Sequence, residues 1–321
     1  MIDPLTNRTM VTLVAVALLA CGALAQPLAY DSDRRVPFLN GQGYERDEYH
    51  WWIKNTGQPS RLFQNGSFVS QETGTNDIEL EAAWIIQQQG VPIGVFDIDN
   101  LHGQRVIDCA RIVSRGDVLL ESSNRLYADD IARGISNLVS AGLRVIVVTA
   151  GCGPNADVSN ACRFAESKRA LVVCAVPNSG VDIDVTPDYP SSWAGEITSI
   201  VPITATDRNG NLYGPNAAAW GTNVIGAPGR NIVAAGTYAT GTSYAAPIAA
   251  GCLSLLVARY PNQTSSAYRQ ALKSSGMNAA LLLMCPVPKV ILRIQGLSEW
   301  AYSAEESTDL KSWNFYRGVV E

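Results

Sequence analysis

The sequence predicts an α/β fold: a mostly parallel sheet with helices on both faces. Three observations carry that expectation. Short, predominantly apolar runs such as Leu143–Val148 and Ala170–Val176 suit strands buried on both faces. Helix-length segments separate such runs, and 127–141 has a clean apolar stripe at 128, 131, 132, 135, 138 and 139. Strands alternating with helices at these lengths require right-handed βαβ crossovers.

Taken in order, residues 76–90 hold a short helix, with Asn76 or Asp77 as cap and Gly90 as terminator. Val91–Phe96 is a strand closing on Asp97, and Leu101 to about Ser114 is helical. Asp117–Glu121 is a second strand, followed by the striped helix, which Gly142 ends. Leu143–Val148 is a third strand, 156–168 a helix, and Ala170–Val176 a fourth strand. Ile200–Ala205 and Asn223–Ala227 add strands. A buried helix running from Ser243 to Tyr260 follows, then one over 264–274. Beyond Gly276 the pattern changes, with Val290–Ile294 strand-like and Glu305–Trp313 resembling a β-hairpin.

Composition narrows the function. The 321 residues suffice for one large domain or two modest ones. Hydrophobic residues are 47% and charged ones 17%, which places the chain among globular proteins. A net charge of −5, spread without runs, offers no basic face to a nucleic acid. Residues 10–25 form an apolar run after Arg8, and Ala23-Leu24-Ala25 fits a cleavage site before Gln26. This reads as a secretory signal peptide, too short for a spanning helix, so export without stable membrane insertion is expected. Lipid attachment at Cys21, after Leu18-Leu19-Ala20, is the alternative. Cleavage turns seven cysteines into six, at 109, 152, 162, 174, 252 and 285. Cys152 and Cys162 are the expected bridge, and Cys109, Cys174 and Cys252 lie in apolar runs as small hydrophobes. No Cys or His spacing suggests zinc, and neither a metal nor a cofactor is assigned.

The chemistry is concentrated in Gly241-Thr-Ser-Tyr-Ala-Ala-Pro-Ile-Ala-Ala-Gly251. This run puts Ser243 at the mouth of a buried helix, where free N–H groups and the positive dipole end stabilise an oxyanion. The small residues Ala245, Ala246, Ala249, Ala250 and Gly251 let that helix pack closely. Acyl transfer by a serine also needs a base and a group to orient the base. The chain has two histidines, His50 and His102, and imidazole is suited to move a proton at neutral pH.

The Ser243 run resembles the nucleophile segment of the subtilisin-like serine peptidases. Tyr49-His-Trp-Trp-Ile-Lys-Asn-Thr-Gly-Gln58 is similar to the segment that opens the catalytic domain in one branch of that family. The resemblance spans roughly 49–275 and implies a secreted serine endopeptidase that cleaves polypeptides through an acyl-enzyme. With the apolar export run, the polar, irregular stretch after it and the change of pattern beyond Gly276, the chain divides into a signal peptide over 1–25, a leader over 26–48, the resembling catalytic domain over 49–276 and a β-rich extension over 277–321. Asp97, closing Ile93-Gly-Val-Phe-Asp97, is the implied orienting carboxylate, with Asp99 as the alternative. His102, in His102-Gly-Gln-Arg-Val106, is the implied base and Ser243 the nucleophile. Asn178, in Ala175-Val-Pro-Asn-Ser-Gly180, is the implied oxyanion donor beside the Ser243 N–H. Thr149-Ala-Gly-Cys-Gly153 resembles the edge that pairs with substrate backbone, which makes Ala150, Gly151, Cys152 and Gly153 the expected substrate-binding residues. The chain order Asp, His, Ser is that of subtilisin. One departure stands out: the family has a long segment between Asp and His, where this chain has five steps. Five extended residues reach about 17 Å at most, ample for a hydrogen-bonded pair.

Overall fold

The computed structural model describes residues 51–53, 60–64, 67–72, 74, 76–123, 127–213, 218–235, 237–277, 279–284, 300–305 and 314–319. The export segment 10–25, Cys21, the leader, His50, Cys285 and Val290–Ile294 lie outside them, as does most of Glu305–Trp313. Among the described residues no helix is long and apolar enough to cross a membrane.

β1 (Ser60–Gln64) and β2 (Ser67–Glu72) pair antiparallel, a hairpin not anticipated because its strands mix polar and apolar residues without a sustained pattern. α1 (Leu80–Ile86) is shorter than the segment expected over 76–90. Asp77 Oδ1 accepts from the Glu79 N–H at 2.7 Å, a local turn that diverts the expected cap, and Glu79 opens the helix at φ 51°. Gly90 lies beyond the helix and serves packing instead: its N–H donates to the Ser114 carbonyl at 2.7 Å, and a Cβ there would run into Ser254.

The alternating segments then follow. They are β3 (Ile93–Asp97), α2 (Asn100–Ser114), β4 (Val118–Ser122), α3 (Ala128–Ser140), β5 (Val145–Val148), α4 (Ala156–Ser167) and β6 (Leu171–Ala175). β7 (Ile200–Thr206) and β8 (Ile225–Pro228) complete a six-stranded sheet in the order β4-β3-β5-β6-β7-β8, every pair parallel. β9 (Ile232–Ala234) and β10 (Thr237–Ala239) form a small antiparallel ribbon. α5 (Thr242–Arg259), α6 (Ser265–Ser275) and α7 (Ala279–Met284) follow, and β11 (Trp300–Glu305) pairs antiparallel with β12 (Asn314–Val319).

Each boundary has a local cause. Asp99 caps α2 through Leu101 N–H at 2.8 Å, Asn155 caps α4 through Asp157 and Val158, and Thr264 caps α6 through Ala267. α3 ends where Gly142 takes φ 84°, and the Leu143 N–H then reaches back to the Leu138 carbonyl at 3.2 Å. Both faces of the sheet are covered. Ile146, Val148, Val172 and Cys174 join the core beneath α3 and α4. Their neighbours Val145, Val147, Leu171 and Val173, equally buried, point to the opposite face, where α5 packs. Trp51 and Trp52 are buried as well, the Trp51 indole donating to the Arg230 carbonyl at 3.3 Å.

The α2–α5 contact depends on Gly251, where a Cβ would drive into the Val113 side chain. Gly251→Ala should therefore destabilise. Alanine improves helix propensity by about 1 kcal/mol, and overpacking costs about 1–3 kcal/mol. Urea unfolding should show a net loss of up to about 2 kcal/mol; a midpoint at or above wild type would contradict this packing.

Candidate active site

The site lies at the carboxyl ends of β3, β5 and β6, where the N-termini of α2 and α5 meet the sheet. Asp97 is the last residue of β3 and is fully buried. Its Oδ2 accepts from His102 Nδ1 at 2.7 Å and from the Thr149 hydroxyl at 2.6 Å, and its Oδ1 accepts from the Asp99 N–H at 3.1 Å. Three donors from three short segments thus surround one carboxylate. Because the carboxylate only accepts, Nδ1 carries the proton and Nε2 is left as the basic nitrogen.

His102 sits in the first turn of α2 and is 29% exposed. The shortened Asp–His connection is a strand-to-helix junction in which α2 starts three residues after Asp97. His102 Nδ1 is paired with Asp97 rather than with the alternative orienter Asp99, which caps that helix through the Leu101 N–H. Gly103 makes the turn fit, since a Cβ there would lie 2.9 Å from Leu120 Cδ1 and 3.3 Å from Asp97 Cβ. The His102 ring stands 5.6 Å from the ring of Tyr244, the residue after Ser243. α2 and α5 therefore bring the histidine beside the serine segment.

Ser243 is the second residue of α5. Gly241, at φ 154°, turns the chain into the helix, and its N–H is held by the Gly229 carbonyl at 2.8 Å. The Thr242 N–H donates to Asn178 Oδ1 at 3.0 Å, and the N–H groups of Tyr244 and Ala245 both reach the Gly241 carbonyl. The Ser243 N–H has no acceptor among the described residues. Pro247, one turn on, lacks the N–H that would otherwise engage the Ser243 carbonyl.

Asn178 follows the end of β6 and stands against Gly241. Its Oδ1 accepts from both the N–H and the hydroxyl of Thr242, at 3.0 and 3.3 Å, which fixes the orientation of the amide. Nδ2 has no acceptor among the described residues, so two unused donors, Asn178 Nδ2 and the Ser243 N–H, belong to segments joined through Thr242.

The 150–153 segment is only partly as expected. Cys152 exchanges both main-chain hydrogen bonds with Tyr189, at 2.8 and 3.0 Å, so its backbone is already occupied. Ala150 is buried, whereas the N–H groups of Gly151 and Gly153 have no acceptor among the described residues. The expected Cys152–Cys162 disulfide is absent. Cys162 lies on the buried face of α4, its thiol pKa pushed up to about 12 chiefly by burial, while Cys152 is held by main-chain pairing to Tyr189. Cys109, Cys174 and Cys252 are buried thiols.

Sequence reasoning missed Thr149, Tyr244 and Asp188. Thr149 was legible in principle, because the residue after β5 must neighbour the end of β3 once those strands pair. Asp188 carried no local signal; only the fold brings it against Gly151.

Comparison with known proteins places this arrangement. The profile of the Subtilase family matches residues 109–297, which include Asn178 and Ser243 and begin just after His102. Subtilisin DY from Bacillus licheniformis is 30% identical over 254 residues, covering 75% of this chain and 88% of that protein. Subtilisin BL from Lederbergia lenta is 29% identical over 163 residues, covering 49% of this chain; the chain spans 58% of that relative's length. A solved protease from Pseudoalteromonas arctica shares the fold with a TM-score of 0.54 at 18% identity, covering 66% of this chain and 94% of that one.

Removing one Asp97 donor leaves a buried carboxylate under-satisfied, which typically costs about 1–3 kcal/mol. Thr149→Val should lose stability in that range in urea at neutral pH, and Thr149→Ser should restore most of it. Equal stability of the valine and serine variants would show that the hydroxyl contributes nothing.

Proposed function

The chain belongs to the subtilase family, and from that premise we propose that it is a serine endopeptidase. The observation that carries the reading is the Asp97–His102 hydrogen bond at 2.7 Å, on a helix packed against the helix that presents Ser243. In this reading Ser243 Oγ attacks the carbonyl carbon of a peptide bond while His102 Nε2 takes the hydroxyl proton. Asp97 holds the ring and stabilises the imidazolium that forms. The carbonyl oxygen becomes an oxyanion between the Ser243 N–H and Asn178 Nδ2, donors with no acceptor among the described residues. His102 then protonates the leaving amine, and a water molecule, activated by the same nitrogen, hydrolyses the acyl-enzyme. Gly151 and Gly153 offer the N–H groups to which a polypeptide backbone would bind as an added strand. The catalytic unit is taken to span 49–276, followed by a β-rich extension over 277–321, and the 10–25 segment directs export.

A second reading is an inactive, peptide-binding member of the family. It draws on the five-residue Asp–His connection and on a family match that starts downstream of both residues. A fluorophosphonate, which reacts only with an activated serine, separates the two.

The full chain should be labelled on Ser243, and Ser243→Ala should lose both labelling and peptide hydrolysis. The expected fall in kcat is on the order of 10⁶-fold, a magnitude taken over from subtilisin. Asn178→Ala should keep the labelled site but lower kcat about 10²–10³-fold, also on the subtilisin precedent. Label on the alanine variant, or none on the wild type, would remove the peptidase reading.

A further inference from the structure

Asp188 takes part in none of these steps, yet it is the least comfortable group beside them. The peptide of Gly151 lies directly on it: a Cβ at 151 would overlap both carboxylate oxygens, so the glycine makes room for the acid. Its position is rigid. The Asp188 N–H donates to Ser192 Oγ at 2.9 Å, and the Ser192 N–H returns to the Asp188 carbonyl at 2.8 Å. Next to it, Tyr189 is paired with Cys152 and stacked on Trp193 at 4.1 Å. The carboxylate itself has no hydrogen-bond or ion-pair partner among the described residues. The titratable groups facing it are the thiols of Cys152 and Cys174, both raised by burial and by its charge, and no cation among the described residues offsets it. Burial alone pushes its pKa up to about 6. An unpaired, half-buried carboxylate is unfavourable unless something else brings the positive charge.

The strands show where that charge would enter. β5 and β6 pair as far as Val148–Cys174, after which the chain leaves β6 and Cys152 pairs with Tyr189 instead. The Thr149–Gly153 segment therefore parts from the chain that continues beyond β6 to Asn178. Asp188 lies against the first of these segments at Gly151, and Asn178 at the end of the second is tied to the Ser243 turn through Thr242. A peptide lying along Gly151 with its reacting carbonyl at Ser243 would have the side chain of that same residue on the side of Asp188.

We propose that Asp188 is the floor of the pocket for the residue whose carbonyl is attacked, and that it selects lysine or arginine there. The side chain's ammonium or guanidinium would meet the carboxylate, and its methylene stem would lie along the pocket walls. The proposal rests on the peptidase reading for its substrate. Its test separates the two.

Fluorogenic peptides differing only in that residue should be cleaved by the full chain with kcat/KM for Arg and Lys about 10- to 100-fold above Leu at pH 8, the range of a hydrogen bond to a charged group. Asp188→Asn should collapse the Arg-to-Leu ratio. In wild type the ratio should rise as pH increases through about 6, because Asp188 gains its charge there. The catalytic ionisations are common to both substrates and cancel in the ratio. In parallel, p-aminobenzamidine binding, read by its fluorescence, should occur in Ser243→Ala and disappear when Asp188→Asn is added. This arm needs no turnover. If no peptide is cleaved but the amidine still binds through Asp188, the peptidase reading fails and the pocket stands. A preference for Leu that Asp188→Asn leaves unchanged, or an amidine that does not bind, overturns the proposal.

Discussion

A carboxylate with no exposed surface has to be surrounded by donors, and the donors of Asp97 come from three places in the fold. One is the helix that begins after its own strand, one is the loop after β5, and one is the turn between strand and helix. The cost of burying an unsatisfied charge is several kcal/mol, larger than any single contact around it. The requirement ties Thr149, just after β5, and the start of α2 to the end of β3, where glycine at 103 lets the turn pack against Leu120 and Asp97. It also determines the tautomer of His102, so the hydrogen bonds that make the buried charge tolerable leave Nε2 as the basic nitrogen of a ring 5.6 Å from Tyr244.

The other half of the site is set by close packing. α5 is buried along almost its whole length, and its alanines and glycine let α2 and the sheet approach it. At its start, Asn178 and Gly229 are each tied to the turn, through Thr242 and Gly241. The amide of Asn178 is consequently half-used: its oxygen is a structural acceptor, and its nitrogen remains available. Oxyanion stabilisation relies on donors that need no rearrangement when charge develops, and in the proposed mechanism this anchoring would supply such a donor.

Much of this was legible in the sequence. Continuous apolar runs revealed β5 and β6, the stripe revealed α3, and the small-residue run revealed α5, because each depends on local pattern alone. Asp97, His102, Asn178 and Ser243 could be singled out from short motifs. What stayed hidden depends on partners distant in sequence. Gly90 looked like a helix terminator until Ser254 was found against it, and Asp77 looked like a cap until it closed a turn two residues on. Cys152 and Cys162 looked like a bridge, but both are free thiols, one main-chain paired to Tyr189 and the other buried on α4. Asp188 could not be assigned from its surroundings in sequence, because its neighbour in space is Gly151.

The short Asp97–His102 connection also affects how the site is assembled. Closing a loop costs free energy that grows as about (3/2)RT ln n, so each halving of a connection saves about 0.6 kcal/mol of chain entropy. The pair belongs to a single strand–helix junction and can form as soon as that junction does. Ser243 must arrive from 141 positions along the chain, after β5 to β8 have been laid beside β3. In the proposed mechanism the base and its orienter would thus be one local unit, whereas the nucleophile depends on chain brought in from far along the sequence. A molecule whose sheet had not closed would then hold a base with no serine to activate.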